Sequence, residues 1–139
     1  MSNHKHPLKE TANARALFAY EQVDDHYSKN YTSYVKKMPA LIMNNGLANT
    51  VAFATEKGKK WKEWKEILDD LEEWLKSDEC PIPSTLKEKI KKGNFSKSII
   101  LLNSDEYRII TREILNYLNW LRRFAAAKDD NKKVNSQDE

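Results

Sequence analysis

The stretch YVKKMPALIMNNGLANTVAFA, residues 34–54, differs from the rest of the chain in its charge. Its only charged residues are Lys36 and Lys37, whereas 32% of the 139 residues in the whole sequence are charged. Pro39 follows the two lysines, and proline removes a hydrogen bond from a helix interior but is tolerated in a first turn. The stretch therefore predicts a break near Lys37–Met38, followed by a short helix, with both lysines at a helix end.

A glycine marks the next boundary in this stretch. Gly46 suits the residue of positive φ that ends a helix, so the short helix is expected to stop at Asn45. A new helix is predicted from Leu47 to about Lys57, just before Gly58.

Two later segments have the repeat of amphipathic helices. KKWKEWKEILDDLEEWLK spaces its apolar residues by three and four positions, which places them on one helix face. The members of this stripe are Trp61, Trp64, Ile67, Leu68, Leu71, Trp74 and Leu75. The last helix is predicted to begin with a capping box of Asn103 and Glu106. Its buried seam consists of Tyr107, Ile110, Ile114, Tyr117, Leu118, Leu121 and Phe124.

The segments between and before these helices complete the predicted fold. SDECPIPS is expected to be a loop, and STLKEKIKK a short basic helix that Gly93 closes. SIILL suits a strand but has no pairing partner nearby, so we predict helix there as well. In the first segment, the residues predicted to share one helix face are Ala12, Ala16, Ala19, Val23 and Tyr27. The sequence therefore predicts an all-α, compact bundle of about six helices, with long first and last helices.

Length and composition are those of one domain with a hydrophobic core of its own. Residues 1–139 are expected to form a single helical domain, in which the polar ends, residues 1–7 and 128–139, are flexible tails. The net charge is only +3, so any basic surface must arise from the placement of charges. No apolar run approaches the roughly 18 residues that span a bilayer. We therefore predict a cytoplasmic protein without a membrane partner.

No side chains are spaced as a catalytic or metal-binding set. His4 and His6 lack a third ligand, and the neighbouring Asp-Asp-His of residues 24–26 would diverge by about 100° per residue on a helix. Cys80 has no histidine nearby in sequence to act as a base, and as the single cysteine it can form no internal disulfide. We expect a protein that is not an enzyme and binds no cofactor or metal.

Arginines lie off the buried seam of the last helix. Arg108 and Arg112 are four residues apart, and Arg122 and Arg123 return toward the same side. Their planar guanidinium groups suit phosphate oxygens. Salt bridges on a solvated helix, for instance to Glu113, would use the same residues, and spacing alone favours that interpretation.

Two segments resemble one protein family. YTSYVKKMPALIMNNGLANTVAFA, residues 31–54, is similar to its pattern of paired basic residues, Leu/Met-Pro-Ala-Leu-Ile and Asn-Gly-Leu before an apolar helix. YRIITREILNYLNWLRRFAAA resembles its closing Leu-Asn-Trp-Leu-basic-Arg-Phe-Ala helix, and ARALFAYEQV is a weaker match to its first helix. The family is the small subunit of the Cmr complex, the type III-B CRISPR RNA-guided effector of prokaryotes.

The resemblance implies a non-catalytic structural subunit in antiviral defence. Such subunits stack head to tail along the effector and contact the backbone of the target RNA, while the guide RNA recognises its sequence. The implied partners are the large subunit, the backbone subunits, further copies of the same chain and the target RNA. The matching basic positions are Arg15, Lys36, Lys37, Arg122 and Arg123, with Arg108 and Arg112 as weaker candidates.

Two other classes of function fit the same residues. A helical protein–protein adaptor would use its basic residues only for solubility. A helix-turn-helix DNA regulator would place NNGLANT at the turn, but the helix after it, LANTVAFAT, has no Arg or Lys to read bases. The residues from Gly58 to Asn103 resemble no distinctive pattern, and only helical structure is expected there.

Overall fold

Helices make up the architecture. The computed structural model describes the backbone of residues 7–91 and 94–138 and the side chains of residues 10–90 and 94–132. The helices in these ranges are α1 (Pro7–His26), α2 (Lys29–Asn45), α3 (Leu47–Lys57), α4 (Lys62–Lys76), α5 (Ser84–Lys91), α6 (Phe95–Ile100) and α7 (Ser104–Asp138). This part of the chain contains no strand, which confirms the all-α class.

Most helix positions agree with the sequence-based prediction. The first and last helices are long, with 20 and 35 residues, and α3 has the predicted bounds. The SIILL segment is helical where it belongs to α6, and the basic segment before it forms α5. Gly93, expected to close α5, and residues 1–6 of the predicted N-terminal tail lie outside the described residues.

The backbone around Pro39 differs from the prediction. α2 continues through the proline without interruption, so the expected break near Lys37–Met38 is wrong. Burial on both sides of the proline explains the difference, because Met38 and Ile42 are 1% and 3% exposed and hold both halves of the helix against the core. Packing of an apolar face thus offsets the hydrogen bond that proline removes.

Side-chain caps determine where two of the helices begin. The Ser28 hydroxyl accepts a hydrogen bond from the Tyr31 N–H at 3.0 Å, so α2 begins at Lys29, well before the proline. Asn103 Oδ1 accepts from the Glu106 N–H at 2.9 Å, and Glu106 Oε1 accepts from the Asn103 N–H at 3.0 Å. The predicted capping box is confirmed.

Gly46 separates α2 from α3, and its conformation requires glycine. Its φ of 86° and ψ of 159° lie in a region that residues with a Cβ rarely adopt. Its N–H donates to the Ile42 carbonyl at 2.8 Å and ends α2 as predicted. A Cβ at this position would also lie 3.3 Å from the Tyr107 hydroxyl, which accepts the Ala48 N–H at 2.8 Å.

Replacing Gly46 by alanine should lower the free energy of unfolding by about 1–3 kcal/mol, because the backbone strain has no compensating contact. Urea denaturation followed by circular dichroism measures the change. Asn45→Ala is the matched control, since Asn45 is the exposed neighbouring residue and should change stability by less than about 0.5 kcal/mol. If the two variants were equally stable, a residue with a Cβ at position 46 would not cause the backbone strain that we expect.

The apolar stripes of α4 and α7 meet in the core. In the α4 stripe Ile67, Leu71, Trp74 and Leu75 are at most 1% exposed. Trp61 is the exception, because it precedes the first turn of α4 and is 43% exposed. The helical repeat therefore does not determine where the Trp61 side chain points. The prediction that Trp61 belongs to the buried stripe is wrong.

α1 and α7 run parallel to each other. Arg15 in the middle of α1 pairs with Glu113, and Asp24 near the end of α1 accepts a hydrogen bond from Lys128 Nζ at 2.6 Å. α1 thus covers one flank of α7 over several turns and leaves the side opposite the core exposed.

The end of α7 lies within the segment that was predicted to be a C-terminal tail. Residues 128–138 continue the helix, and the flexibility of this segment stays a prediction. Contacts with α1 and the turn after it hold the first part of this extension. The Tyr27 hydroxyl donates to Asp129 Oδ1 at 2.5 Å, and Lys132 Nζ lies 5.3 Å from the centre of the Tyr27 ring.

Candidate nucleic-acid interface

The outward face of α7 carries arginine and asparagine. Arg112, Asn119 and Arg123 are separated by seven and four residues, which places them on one side of a helix with 3.6 residues per turn. All three are exposed, whereas Ile114 and Leu121 on the opposite side are 0% exposed. We name this surface, with the flanking Arg108 and Arg122, the α7 basic face.

Carboxylates are nearly absent from the α7 basic face. Between Tyr107 and Ala127 the only acidic residue is Glu113, which is buried. Within the described side chains, Arg112 and Arg123 form no ion pair. Their guanidinium groups are therefore available to an anion from outside the chain.

The two flanking arginines have local partners. Arg108 pairs with Asp105 one turn earlier, and both side chains are well exposed. Arg122 Nη2 donates to Asn119 Oδ1 at 3.0 Å. Solvent-exposed contacts of this kind contribute little and exchange readily with other partners.

Lys36 and Lys37 lie in the middle of α2, not at a helix end as predicted. Both side chains are exposed. Lys37 Nζ lies 5.9 Å from the centre of the Tyr34 ring, which is the range of a weak cation–π contact. Their exposure thus follows from the position of the helix rather than from a break in it.

The pairing of α2 with α7 aligns two of these basic residues. Thr32 Oγ1 donates to the Ala125 carbonyl at 3.5 Å, near the start of α2 and toward the end of α7. Lys36 follows Thr32 by one turn, and Arg122 precedes Ala125 by nearly one turn. Gly46 at the end of α2 lies beside Tyr107 near the start of α7, so the two helices run antiparallel. Lys36 and Arg122 are therefore expected at a similar level along them.

Arg15 occupies a different kind of position from the other predicted contacts. Its Nε and Nη2 donate to the two Glu113 carboxylate oxygens at 2.7 and 2.8 Å. Trp74 Nε1 donates to the same carboxylate at 2.8 Å. The hydrogen bond to Glu113 raises the pKa of Arg15, and the pair is largely removed from solvent. The structure places Arg15 in a contact between α1 and α7.

A buried polar cluster was missed by the sequence analysis. Asp70, which is 1% exposed, accepts a hydrogen bond from the Tyr31 hydroxyl at 2.7 Å and lies 3.0 Å from His26 Nδ1. Gln22 Nε2 donates to the Asp70 carbonyl at 2.9 Å, and the Tyr117 hydroxyl donates to Gln22 Oε1. In the sequence, this cluster is indicated only by the position of Asp70, because the helical repeat of α4 places this aspartate on the buried face.

The residues considered for catalysis are used structurally. In the 24–26 segment, Asp24 pairs with Lys128 and His26 with Asp70, so the neighbouring groups diverge as predicted. Cys80 is 2% exposed, and burial raises the pKa of its thiol to about 12. At neutral pH this thiol is therefore protonated and a poor nucleophile.

The described residues contain neither a cluster of metal ligands nor a membrane-spanning helix. Their His, Cys, Asp and Glu side chains include no group of three arranged to hold a metal ion, and His4 and His6 lie outside them. None of the helices in the described ranges is long and apolar enough to cross a membrane.

The fold and the surface define a small all-α protein whose last helix exposes a row of arginines and whose buried polar groups hold its helices together. Residues 11–128 match the family described as CRISPR-associated protein (Cas_Cmr5), and the chain belongs to that family. It is accordingly a subunit of the CRISPR Cmr complex in antiviral defence, associated with other subunits of that complex.

Proposed function

We propose that this chain is the non-catalytic small subunit of the type III-B effector and contacts the backbone of the target RNA through the α7 basic face and α2. The observation that carries the proposal is the exposure of Arg112 and Arg123 on a helix face without a competing carboxylate. Arg108 and Arg122 flank these arginines on α7, and Lys36 and Lys37 add exposed positive charges on the neighbouring helix α2.

The chemistry of this surface favours phosphate over bases. Guanidinium groups donate two parallel hydrogen bonds to phosphate oxygens, and lysines add point charges that tolerate a moving backbone. Such contacts position a nucleic acid without reading its sequence. This matches an effector in which guide RNA supplies sequence recognition. We assign Arg15 to the fold, since Glu113 engages two of its donor atoms.

Contacts between copies of the chain belong to the same proposal. Leu17 and Tyr20 on α1 are 60% and 56% exposed, and Tyr20 packs edge-on against Phe124 of α7 at 5.5 Å between ring centres. An exposed aliphatic side chain beside two aromatic rings is suited to a protein neighbour. We propose that stacked copies of the subunit cover this seam in the effector.

Neutralising the α7 basic face tests the RNA contact. The triple variant Arg112→Gln, Arg122→Gln and Arg123→Gln should bind a labelled single-stranded RNA at least ten-fold more weakly. The slope of log K against log salt concentration, where K is the association constant, should become less steep by roughly 2. Each lost phosphate contact removes about 0.7 from the size of this slope. Fluorescence anisotropy of the isolated chain and of the assembled complex measures both quantities.

A second triple variant controls for total charge. Lys59→Gln, Lys60→Gln and Lys62→Gln remove the same number of exposed positive charges at the turn between α3 and α4. Their effect on affinity should remain below three-fold. If the two triple variants lower the RNA affinity to the same extent, the RNA contact is not localised on α7. If neither alters binding in the complex, the adaptor function becomes the better account of the chain.

A further inference from the structure

Four exposed polar side chains form one row along α7. Arg112, Asn116, Asn119 and Arg123 follow one another at spacings of four, three and four residues, which keeps them on one side of a helix. All four side chains are exposed, and we name them the α7 polar row. The two arginines carry charge at its ends, and the two asparagines between them are neutral. The phosphate contact proposed for α7 therefore explains the arginines but not the asparagines.

The length of the row places the asparagines on the path of a bound strand. Arg112 and Arg123 are eleven residues apart in sequence. At a rise of 1.5 Å per residue, this separation corresponds to about 16 Å along the helix axis. Asn116 and Asn119 lie at about 6 and 10 Å from Arg112 on the same scale. An RNA strand that contacts both arginines therefore passes over both asparagines.

A hydrogen bond within α7 fixes how Asn119 presents its amide group. Asn119 Oδ1 accepts from Arg122 Nη2 at 3.0 Å. Asn119 Nδ2 therefore keeps both of its N–H donors for a ligand. The Asn116 amide forms no side-chain hydrogen bond within the part of the chain that the structure describes. The centre of the row thus offers neutral donors and acceptors between two charged groups.

Ribose is the part of an RNA backbone that matches these neutral amides. Phosphate oxygens only accept hydrogen bonds, and they gain more from a charged guanidinium than from an amide. The 2′-hydroxyl group both donates and accepts, so it can pair with the amino group and with the carbonyl group of an asparagine. This hydroxyl is also the group by which a protein distinguishes RNA from DNA.

Bases are less suitable partners for the α7 polar row. The row contains no aromatic ring on which a base could stack. The nearest rings on α7, Trp120 and Phe124, are only partly exposed and stack on each other with ring centres 5.9 Å apart. In an RNA helix, the major groove is too deep and narrow for side chains, whereas the minor groove presents 2′-hydroxyl groups. Sugar and phosphate are therefore the groups that the row can reach.

We infer that Asn116 and Asn119 form hydrogen bonds with ribose 2′-hydroxyl groups, while Arg112 and Arg123 hold phosphates on either side. The α7 polar row thereby makes the subunit prefer RNA over DNA, whatever the base sequence. This 2′-hydroxyl contact rests on the proposed RNA contact of α7, and it adds a selectivity that charge alone does not provide. Because asparagine is uncharged, the two contributions can be measured separately.

Chemically matched strands test the 2′-hydroxyl contact. The probes are a labelled single-stranded RNA and its 2′-fluoro analogue, which has the same charge and bases but no 2′-hydroxyl groups. The wild-type chain should bind the RNA about five-fold more tightly or better, because the analogue loses two hydrogen bonds. Asn116→Ala with Asn119→Ala should bind the two strands within two-fold of each other. Its RNA affinity should keep the wild-type salt dependence, since no charge is removed. Fluorescence anisotropy of the full chain measures these affinities.

Two further variants serve as controls. Asn44→Ala with Asn49→Ala replaces two exposed asparagines outside α7 and should keep the wild-type preference for RNA. Arg112→Gln with Arg123→Gln should weaken the binding of both strands to a similar extent and reduce the salt dependence. Circular dichroism should show the same helicity for all variants, because every change lies on an exposed helix surface.

The outcomes separate the 2′-hydroxyl contact from the proposed phosphate contact. Equal wild-type affinity for the two strands would overturn the 2′-hydroxyl contact, as would a preference that persists without the two asparagines. An equal loss of affinity for both strands in the asparagine variant would also overturn it, because the amides would then act on phosphate or by holding Arg122. If the arginine variant binds RNA as tightly as the wild type, the proposed phosphate contact is itself wrong.

Discussion

Replacing Glu113 by alanine should lower the free energy of unfolding by about 3–5 kcal/mol, which is the range for removing one partner of a buried ion pair. The Glu113 carboxylate accepts hydrogen bonds from Arg15 at 2.7 and 2.8 Å and from Trp74 at 2.8 Å. Without it, a poorly solvated guanidinium and a buried indole N–H both lose their acceptor. Chemical denaturation at neutral pH measures the loss.

An exposed carboxylate on the same helix is the matched control. Asp105 pairs with Arg108, and its side chain is 84% exposed. Asp105→Ala should cost less than about 1 kcal/mol, because water replaces an exposed ion pair at little cost. A loss for Glu113→Ala no larger than that for Asp105→Ala would show that the buried pair does not hold α1 and α7 together. The double variant Arg15→Met with Glu113→Met should be more stable than Glu113→Ala, since it leaves no unpaired charge.

Stability should also depend on pH through Asp70. Burial raises the pKa of this carboxyl group from its ordinary value of 3.8 to about 6, although hydrogen bonding from Tyr31 and the nearby His26 lower it. The folded protein therefore holds a proton on Asp70 between about pH 4 and 6, where the unfolded chain has lost it. Stability at this site is greatest below pH 4 and falls as the pH rises through about 6. The shift of about two units corresponds to about 3 kcal/mol.

Asp70→Asn isolates this titration, because asparagine has no proton to lose in this range. On lowering the pH from 7 to 5, the wild-type chain should gain about 1 kcal/mol relative to the variant. Urea denaturation of both proteins at the two pH values gives the difference directly. A relative change of the opposite sign would mean that the Asp70 carboxylate is stabilised by Tyr31 and His26 more than it is destabilised by burial.

Several features of the fold were predictable because their causes are local in sequence. The capping box of Asn103 and Glu106 needs only residues three positions apart, and α3 has glycine at both of its boundaries. The stripe of α4 follows from a helical repeat that neighbouring residues define by themselves. Trp61 shows where that rule ends, since it precedes the helix to which the repeat applies.

Pro39 and Arg15 show what local rules could not predict. A proline interrupts a helix unless packing on both sides compensates, and that packing comes from helices distant in sequence. Arg15 resembled the exposed arginines of α7 because a sequence pattern does not show that Glu113, 98 residues away, lies beside it. Asp70 was missed for the same reason, since its partners Tyr31 and His26 come from two other segments.

The sequence by itself determined the all-α class, most helix positions and the family, because periodicity, caps and motifs are properties of neighbouring residues. Only the tertiary structure decided which basic residues are available to a ligand. It paired Arg15 with a buried carboxylate and left Arg112 and Arg123 exposed. The physical reason is that availability depends on burial and on partners from other helices, and these arise only when the helices pack together.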